Sequence, residues 1–230
     1  MNILELSNVG FITKDGPILR DISFAIEEGD VVGVVGPSGT GKTTLFRLLN
    51  LLKSPSLGCI SYLGKNILEY DPLYLRQQIG YVFQKPYLFG DIVEDNLIYP
   101  YMLQKLQPDF TEIERYLAKV NIEKTVLRKK ARDLSGGEQQ RIALIRSLLA
   151  KPRVLLLDEV TASLDEANTG FIEELILLEK KQRELTALFI THSDEQLKRL
   201  ASKVLALQDG SIKFYGPSSE YFAAGRRLSE

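Results

Sequence analysis

A glycine-rich segment between a short apolar run and a helical pattern constrains the fold more than any other feature of the chain. Val31 to Val35 is a β-branched run typical of a buried parallel strand, and it leads directly into Gly36-Pro37-Ser38-Gly39-Thr40-Gly41-Lys42-Thr43. From Lys42 to Leu52 the leucines recur at helical spacing. A strand, a glycine loop and a helix in this order predict one βα unit of a sheet covered by helices.

The same glycine loop carries the residue types that hold the phosphates of a nucleotide. Glycines let backbone N–H groups converge on phosphate oxygens, and a helix N-terminus adds partial positive charge. We expect the Lys42 ammonium to neutralise the terminal phosphates and the Thr43 hydroxyl to ligate Mg²⁺. A simple tight turn would need neither side chain. The predicted ATP-binding residues are Gly36, Pro37, Ser38, Gly39, Thr40, Gly41, Lys42, Thr43 and Thr44.

Two carboxylates follow a second apolar run, Val154 to Leu157. Catalytic groups of open α/β sheets gather at the carboxyl ends of strands. We expect Asp158 to hold Mg²⁺, directly or through water, and Glu159 to polarise or deprotonate the water that attacks the terminal phosphate. Acidic residues also end buried strands with no catalytic role, but beside a phosphate loop the functional interpretation is favoured.

A second glycine segment, Leu134-Ser135-Gly136-Gly137-Glu138, precedes a helical pattern that runs to Leu149. Ser135 with Glu138 predicts a capping box, which accounts for the helix start. A cap gives no reason for two adjacent glycines, each of which disfavours a helix by up to about 1 kcal/mol. They are expected where bare backbone must approach an anion.

The remaining pattern predicts an α/β protein. Residues 3–26 alternate as two antiparallel strands around a Lys14-Asp15-Gly16-Pro17 turn, and a second hairpin turns at Asp209-Gly210. Helical patterns dominate residues 85–150, with Pro100 and Pro108 expected to interrupt them. Strands at Ile60–Leu63, Ile79–Phe83 and Ala187–Thr191 and a helix at Glu166–Lys181 complete the prediction.

Composition excludes several classes of function. The net charge of −1 gives no indication of nucleic acid as a partner. A single cysteine, Cys59, rules out an internal disulfide and a zinc-ligand cluster and is typical of a reducing compartment. The N-terminus lacks a signal-peptide pattern, and no apolar run approaches the roughly 18 residues that span a bilayer. We therefore expect a cytosolic chain whose membrane role, if it has one, comes through a partner.

Further motifs resemble those of one family. Leu134 to Arg141 matches the signature motif of the ABC (ATP-binding cassette) ATPases. Gln84 is similar to the glutamine of the family's Q-loop, Ser163-Leu164-Asp165 to its D-loop, and His192 to the histidine of its H-loop. The motifs occur in the family's order and cover essentially the whole chain.

The resemblance implies a P-loop NTPase fold with a mostly parallel core sheet, an N-terminal antiparallel β-subdomain and an inserted helical lobe. It implies one domain over 1–230, with a RecA-like core in 1–84 and 151–230 and the lobe in 85–150. The implied catalytic residues are Glu159, His192 and Gln84. The implied Mg²⁺ ligands are Thr43, Gln84 and Asp158. The implied contacts to a partner chain's ATP are Ser135, Gly136 and Gly137, with Asp165 in the D-loop.

The resemblance also implies partners. Two cassettes would meet head to tail around ATP, and an integral-membrane permease would hold the chain at the inner face of the cell membrane. The segment after Gln84 resembles the ATPase subunit of bacterial iron-export transporters. Phosphate or amino-acid importer ATPases share every catalytic motif, and a non-transport ABC ATPase is a further alternative. Thr13 occupies the position where many relatives stack an aromatic on adenine, so either Phe11 substitutes or base stacking is weak.

Overall fold

The structure is a computed structural model and describes residues 1–162 and 164–225. The strands are β1 (Asn2–Thr13), β2 (Gly16–Glu27), β3 (Val31–Val35), β4 (Leu57–Tyr62), β5 (Lys65–Asn66), β6 (Ile79–Val82), β7 (Val154–Leu157), β8 (Thr186–Ile190), β9 (Lys203–Gln208) and β10 (Ser211–Pro217). The helices are α1 (Lys42–Leu49), α2 (Pro72–Gln78), α3 (Val93–Leu103), α4 (Phe110–Lys119), α5 (Gly136–Leu149), α6 (Glu166–Arg183), α7 (Asp194–Leu200) and α8 (Ser218–Ala223). Short 3-10 helices lie at Ile67–Glu69, Lys124–Arg128 and Ala131–Asp133.

The strands form two sheets. The antiparallel sheet has the order β2-β1-β4-β5 and comes from the N-terminal part of the chain. The larger sheet has the order β10-β9-β3-β8-β7-β6 and is parallel except for the β9–β10 hairpin at its edge. The predicted α/β class, with a mostly parallel core sheet and an antiparallel N-terminal sheet, is confirmed.

Strand alternation divides the hydrophobic core into two clusters, one on each face of the larger sheet. Along β3, Val31 and Val35 join the cluster that contains α3, α5 and α6. Val32 and Val34 join the cluster that contains α1 and the antiparallel sheet. A strand that is buried on both faces needs apolar residues at successive positions, which explains why β3 and β7 are continuous apolar runs. The helices of 93–149 therefore share a core with one face of the sheet.

The parallel arrangement brings four loops to one edge. The chain leaves β3, β6, β7 and β8 at their carboxyl ends, which lie on the same side because these strands are parallel. The loops begin with Gly36, Phe83, Asp158 and Thr191. Sequence motifs that are more than 150 residues apart thus meet at one edge of the sheet.

Several predicted boundaries differ from the structure by one to three residues, and the end of α1 is one of them. α1 ends at Leu49, not at Leu52, because Leu51 takes a left-handed backbone with φ 54° and the N–H groups of Leu52 and Lys53 both turn back to the Arg47 carbonyl. Leu52 continues the helical spacing, and no glycine marks the helix end.

Pro100 lies inside α3 and does not interrupt it. A proline removes one helical hydrogen bond and costs about 3 kcal/mol in a helix interior. Around it, Val93, Leu97 and Tyr101 are all buried in the core, and each buried apolar side chain of this size contributes about 1.5–3 kcal/mol. Packing of the apolar face therefore outweighs the local cost.

The patterns of α2, α7 and α8 were not predicted, although Asp71 caps α2 and Ser193 caps α7 through side-chain hydrogen bonds. All three helices are six or seven residues long, too short for periodicity to identify them. None of the helices in residues 1–162 and 164–225 combines the length and apolar character that crossing a bilayer requires.

Candidate active site

The phosphate loop is shaped by close backbone contacts that only glycine permits. A Cβ on Gly36 would lie 2.1 Å from the Leu207 carbonyl oxygen, and φ at Gly36 is 141°. A Cβ on Gly41 would lie 2.6 Å from a Leu19 side-chain atom, at φ 97°. The loop thus fits tightly between β9 and the β1–β2 hairpin, and its geometry follows from these two positions.

Lys42 is buried, and its ammonium is bound by the loop itself. The Nζ atom donates to the Gly36 carbonyl at 2.7 Å and to the Pro37 carbonyl at 2.9 Å. Burial lowers the pKa of Lys42, and the neighbouring carboxylates of Glu159 and Asp158 act in the opposite direction. An ammonium held at the phosphate loop by two of the loop's carbonyl groups can bind phosphate oxygens there.

Asp158 is buried and both of its carboxylate oxygens accept hydrogen bonds. Thr43 donates its hydroxyl to Oδ1 at 3.0 Å, and Tyr81 donates its hydroxyl to Oδ2 at 2.6 Å. Burial, followed by the effect of Asp158, raises the pKa of Tyr81 well above its usual value, so the phenol keeps its proton. Tyr81 was not predicted from the sequence, because its contact depends on the pairing of β6 with β7.

The residues at Thr43 and Asp158 fit a magnesium ion. Mg²⁺ is bound by hard oxygen ligands, commonly one or two carboxylates together with substrate phosphates and water. The Thr43 hydroxyl and the Asp158 carboxylate oxygen supply such donors 3.0 Å apart, beside the phosphate loop. No group of three or more His, Cys, Asp or Glu side chains suited to a metal occurs in the described part of the chain. The donor set therefore suits a cation that takes most of its ligands from a nucleotide and water.

Glu159 lies between the two other predicted catalytic residues. Gln84 donates its side-chain amide to Glu159 Oε2 at 2.6 Å, and His192 Nε2 lies 3.4 Å from Glu159 Oε1. Glu159 takes a left-handed backbone with φ 51°, which is uncommon for residues other than glycine and is a feature of functional sites. Three residues from the ends of β6, β7 and β8 are thus brought together at one point.

A network of polar side chains centred on the buried Gln196 and Glu173 supports the loop that carries Glu159. Gln196, in α7, donates to Glu173 at 3.2 Å and lies 3.2 Å from the Thr161 hydroxyl, which donates to its amide oxygen. Arg199 donates to both oxygens of Glu173, at 2.7 and 2.9 Å. A cavity of about 440 Å³ next to this network is lined by Glu159 and His192 among others. The network links α6 and α7 to the residues that follow Glu159.

The second glycine segment forms the N-terminus of α5 as the capping pattern predicts. The Ser135 backbone N–H and hydroxyl donate to Glu138 at 2.8 and 2.7 Å, and the Glu138 N–H donates back to Ser135 Oγ at 3.2 Å. These bonds lower the pKa of Glu138. A Cβ on Gly136 would meet nothing within 4 Å, so this backbone is open on the protein surface.

Within the described part of the chain, the second glycine segment (Ser135–Gly137) makes no hydrogen bond or ion pair with the phosphate loop. A Cβ on Gly137 would instead lie 3.2 Å from Leu164. Asp165 caps α6, accepting from the Asn168 N–H at 2.8 Å, and Ser163 of the predicted D-loop lies outside the described residues.

Comparison with known proteins decides the family. Residues 19–162 match the model of the ABC transporter family. The chain belongs to the ABC transporter ATPases. It is 39% identical to the probable iron export ATP-binding protein FetA of Escherichia coli K12, over 90% of the chain and 91% of that protein. It is 34% identical to the phosphate import ATP-binding protein PstB of Saccharolobus solfataricus, over 97% of the chain and 91% of that protein.

A solved structure supports the same assignment. The chain superimposes on a dimeric ATP-binding cassette in a post-hydrolysis state bound to ADP and Pi, with a TM-score of 0.85 and 25% identity, over 94% of the chain and 98% of that one. This confirms that the chain is an ABC-type ATPase, and the subunit of a transporter that carries this activity. Its relatives include proteins named for export and for import, so the family does not decide the direction of transport.

The predicted contact to the adenine base stays a prediction in this ABC ATPase. Thr13 donates its hydroxyl to the Gly16 carbonyl at 3.0 Å, so its polar group is used within the β1–β2 turn. The Phe11 ring has the Lys53 ammonium 4.7 Å from its centroid. Both alternatives, stacking on Phe11 and weak stacking, therefore stay open.

Proposed function

We propose that two copies of this chain close head to tail around ATP and Mg²⁺, and that hydrolysis drives a separate integral-membrane permease. The observation that carries the proposal is the position of Glu159 between Gln84 and His192. These residues lie at the edge of the sheet formed by the carboxyl ends of the parallel strands, where Lys42 and the Thr43–Asp158 pair also lie. Such an arrangement provides a base, a cation site and a phosphate site within one group of loops.

Each residue in the proposed site has a distinct role. Lys42 binds the terminal phosphates, and Thr43, Gln84 and Asp158 are the side chains that hold Mg²⁺. When bound, Mg²⁺ neutralises phosphate charge. Glu159 accepts a proton from the attacking water, and its contact to Gln84 fixes the orientation of its carboxylate. His192 contacts the terminal phosphate from the end of β8.

The proposed dimer follows from the exposed N-terminus of α5. Gly136 presents open backbone, and a helix N-terminus favours anions. Ser135, Gly136 and Gly137 of one copy would contact the ATP bound to the phosphate loop of the other. ATP then makes contacts with both chains only in the closed state, and so shifts the population toward that state.

The proposed permease contact uses the segment after Gln84. Tyr87, three residues after the glutamine that contacts Glu159, is 72% exposed. A partner bound to this segment is coupled to the catalytic site through the hydrogen bond between Gln84 and Glu159. We propose that the permease holds the chain at the inner face of the cell membrane. We also propose that residues 85–150 form the lobe that bears this contact, with 1–84 and 151–230 as the core of a single domain.

The proposed cargo is a metal ion, with iron exported. The support is the relative named for iron export, which is 39% identical to this chain and aligns with 91% of its own length. The second candidate is import, of phosphate in particular, because a relative named for phosphate import aligns with 97% of the chain.

Replacing Glu159 with Gln tests the hydrolytic site. The variant keeps the shape of the side chain but removes its basicity, so we expect hydrolysis to fall at least about 100-fold and an ATP-bound dimer to accumulate. Phosphate release and light scattering with ATP and Mg²⁺ measure the two effects. Glu114→Gln, an exposed glutamate in a surface ion pair with Lys124, is the matched control. Normal turnover in Glu159→Gln would remove Glu159 from the mechanism.

Transport by inside-out membrane vesicles tests the cargo. ATP is added outside vesicles that contain the chain and its permease partner, and uptake of radioactive iron is compared with release of radioactive phosphate that was loaded inside them. Export of iron predicts ATP-dependent iron uptake that disappears with Glu159→Gln. Absence of iron uptake would refute iron export; phosphate movement in the opposite sense would support the import candidate.

A further inference from the structure

Tyr81 holds the carboxylate that is proposed to face Mg²⁺, and the ABC motifs do not include this tyrosine. Its hydroxyl donates to Asp158 Oδ2 at 2.6 Å, while Thr43 donates to Oδ1 at 3.0 Å. Asp158 is 4% exposed, so these two donors replace water around the carboxylate. The two carboxylate oxygens are therefore held by residues of two different elements, Oδ1 by Thr43 of α1 and Oδ2 by Tyr81 of β6.

The phenol is itself fixed in place. Its ring packs edge-on against Phe46, with 6.3 Å between centroids, and in a tilted arrangement against Phe83 at 4.4 Å. The Asp158 backbone N–H donates to the Val82 carbonyl at 3.0 Å, which ties the aspartate to the same strand. The Tyr81 ring and the Asp158 backbone are both fixed in this way. The Tyr81 hydroxyl therefore holds Oδ2 of Asp158 toward β6.

This geometry leaves one oxygen of Asp158 on the side of Thr43. Calcium takes six to eight oxygen ligands and commonly binds both oxygens of a carboxylate, whereas Mg²⁺ requires near-octahedral geometry and retains several waters. The tyrosine hydroxyl occupies Oδ2 of Asp158, and Oδ1 accepts from the Thr43 hydroxyl, which is itself a proposed Mg²⁺ ligand. A carboxylate that offers the cation only Oδ1 suits the second pattern and opposes the first.

We propose that Tyr81 is a positioning residue that restricts Asp158 to a single cation-facing oxygen and thereby favours Mg²⁺ over Ca²⁺ at the nucleotide site. The inference rests on the proposed role of Asp158 in the ATP site. Without the hydroxyl, Oδ2 has no donor from β6, and the carboxylate can turn to bind a large cation with both oxygens.

Tyr81→Phe tests this inference with the loss of one oxygen atom and no loss of ring packing. Binding of a fluorescent ribose-labelled ATP to the full chain is titrated with MgCl₂ and with CaCl₂, and the half-saturating concentrations are compared. We expect the ratio of the calcium value to the magnesium value to fall about fivefold in the variant. Nucleotide binding with excess EDTA is expected to be unchanged.

Tyr116→Phe is the matched control. The Tyr116 hydroxyl also donates to a buried carboxylate, Glu179, at 2.9 Å, but it joins α4 to α6 away from the phosphate loop. This control is expected to keep the wild-type ratio of calcium to magnesium. Thermal unfolding of both variants establishes that they are folded and compares their loss of stability.

Three outcomes overturn the inference. An unchanged ratio in Tyr81→Phe, including equal weakening of both cations, means that the tyrosine has only a structural role. An equal change of the ratio in both variants means that the effect comes from general loosening. If the wild-type chain binds ATP without any dependence on a divalent cation, the proposed role of Asp158 fails, and this inference fails with it.

Discussion

At the scale of single residues, the Lys42 ammonium is a buried cation that donates hydrogen bonds to two carbonyl groups of its own loop. Burial lowers its pKa, which shows that the folded chain alone does not favour the charge there. A triphosphate would supply the opposite charge that the site lacks. We therefore propose that Lys42 contributes to ATP binding more than to stability, and replacing it can separate the two effects.

Lys42→Ala is expected to lower ATP affinity about 100-fold, because two or more charge-assisted hydrogen bonds to phosphate are lost. Its thermal midpoint is expected to be unchanged or slightly raised, since a desolvated cation is removed. Titration with fluorescent ATP and thermal unfolding measure the two effects, with Lys181→Ala, an exposed lysine of α6, as the control. Wild-type affinity in Lys42→Ala would contradict the assignment of the phosphate loop.

Candidate site residues that belong to a sequence motif could be predicted individually. The residues that hold them in position, such as Tyr81 and Gln196, could not. Lys42, Asp158 and Glu159 follow from a strand, a loop and a residue type that chemistry requires together. Tyr81 and Gln196 act through contacts between elements distant in sequence, and their residue types are common in cores. The β6–β7 register places Tyr81 opposite Leu156, two residues before Asp158, and no local pattern encodes that register.

At the scale of elements, the capping box of α5 makes a pH-dependent contribution to stability. Glu138 accepts two hydrogen bonds from Ser135, and these lower its pKa from the usual 4.5. A group with a lowered folded-state pKa stabilises the fold above its unfolded-state pKa, and that contribution is lost as the pH falls through the folded-state value. The window for this effect therefore lies at and below about pH 4.5.

Glu138→Gln keeps the capping box but removes its negative charge from the N-terminus of α5, so we expect it to lower the free energy of unfolding by about 0.3–1 kcal/mol at neutral pH. The difference from the wild type is expected to shrink as the pH falls below 4.5, because protonation removes the same charge from Glu138. Urea unfolding over a pH series measures this, with the exposed Glu174→Gln of α6 as the control. A difference independent of pH would mean that the charge of Glu138 is not involved.

The first residue of α5 separates helix stability from catalysis. A Cβ on Gly136 meets nothing within 4 Å, so Gly136→Ala is expected to leave stability unchanged or to raise it by about 0.5–1 kcal/mol. Hydrolysis is expected to fall at least about tenfold, because the methyl group would stand where phosphate approaches the N–H groups. Gly170→Ala in α6 adds a Cβ to equally open space and is expected to keep full activity. Full activity in Gly136→Ala would mean that no phosphate approaches this backbone.

Element boundaries could be predicted from the sequence only where a local residue pattern marks them. The N-terminus of α5 was predictable because Ser135 and Glu138 form a local signal. The end of α1 was not, since it depends on a left-handed Leu51 that carries no turn signal, and Asn50 there donates to the carbonyl of Ile79 on β6. The continuation of α3 through Pro100 likewise depends on the core that forms only once the helix packs.

At the scale of the whole molecule, one chain carries both phosphate-facing elements and does not join them. Each is complete in itself: Lys42 is bound within its loop, and Ser135 is satisfied within its cap. A shared site in a symmetric dimer uses both, since the same two surfaces then meet twice about a two-fold axis. Activity should therefore depend on complementation between chains.

Mixing two inactive variants tests this sharing directly. In a mixed dimer of Lys42→Ala and Gly136→Ala, one composite site contains both substitutions and the other contains neither. The assay uses an ATP concentration that saturates the wild type but leaves Lys42→Ala largely unbound. Half of the dimers are then mixed and one site in each is intact, so the mixture is expected to reach about a quarter of wild-type hydrolysis, above the level of either variant alone. Phosphate release at equal total protein measures the recovery, and a mixture of Lys42→Ala with Lys42→Ala/Gly136→Ala is the control, because no intact site can form in it. If each chain held its own complete site, the first mixture would be as inactive as its components, and ATP would not be shared between two copies.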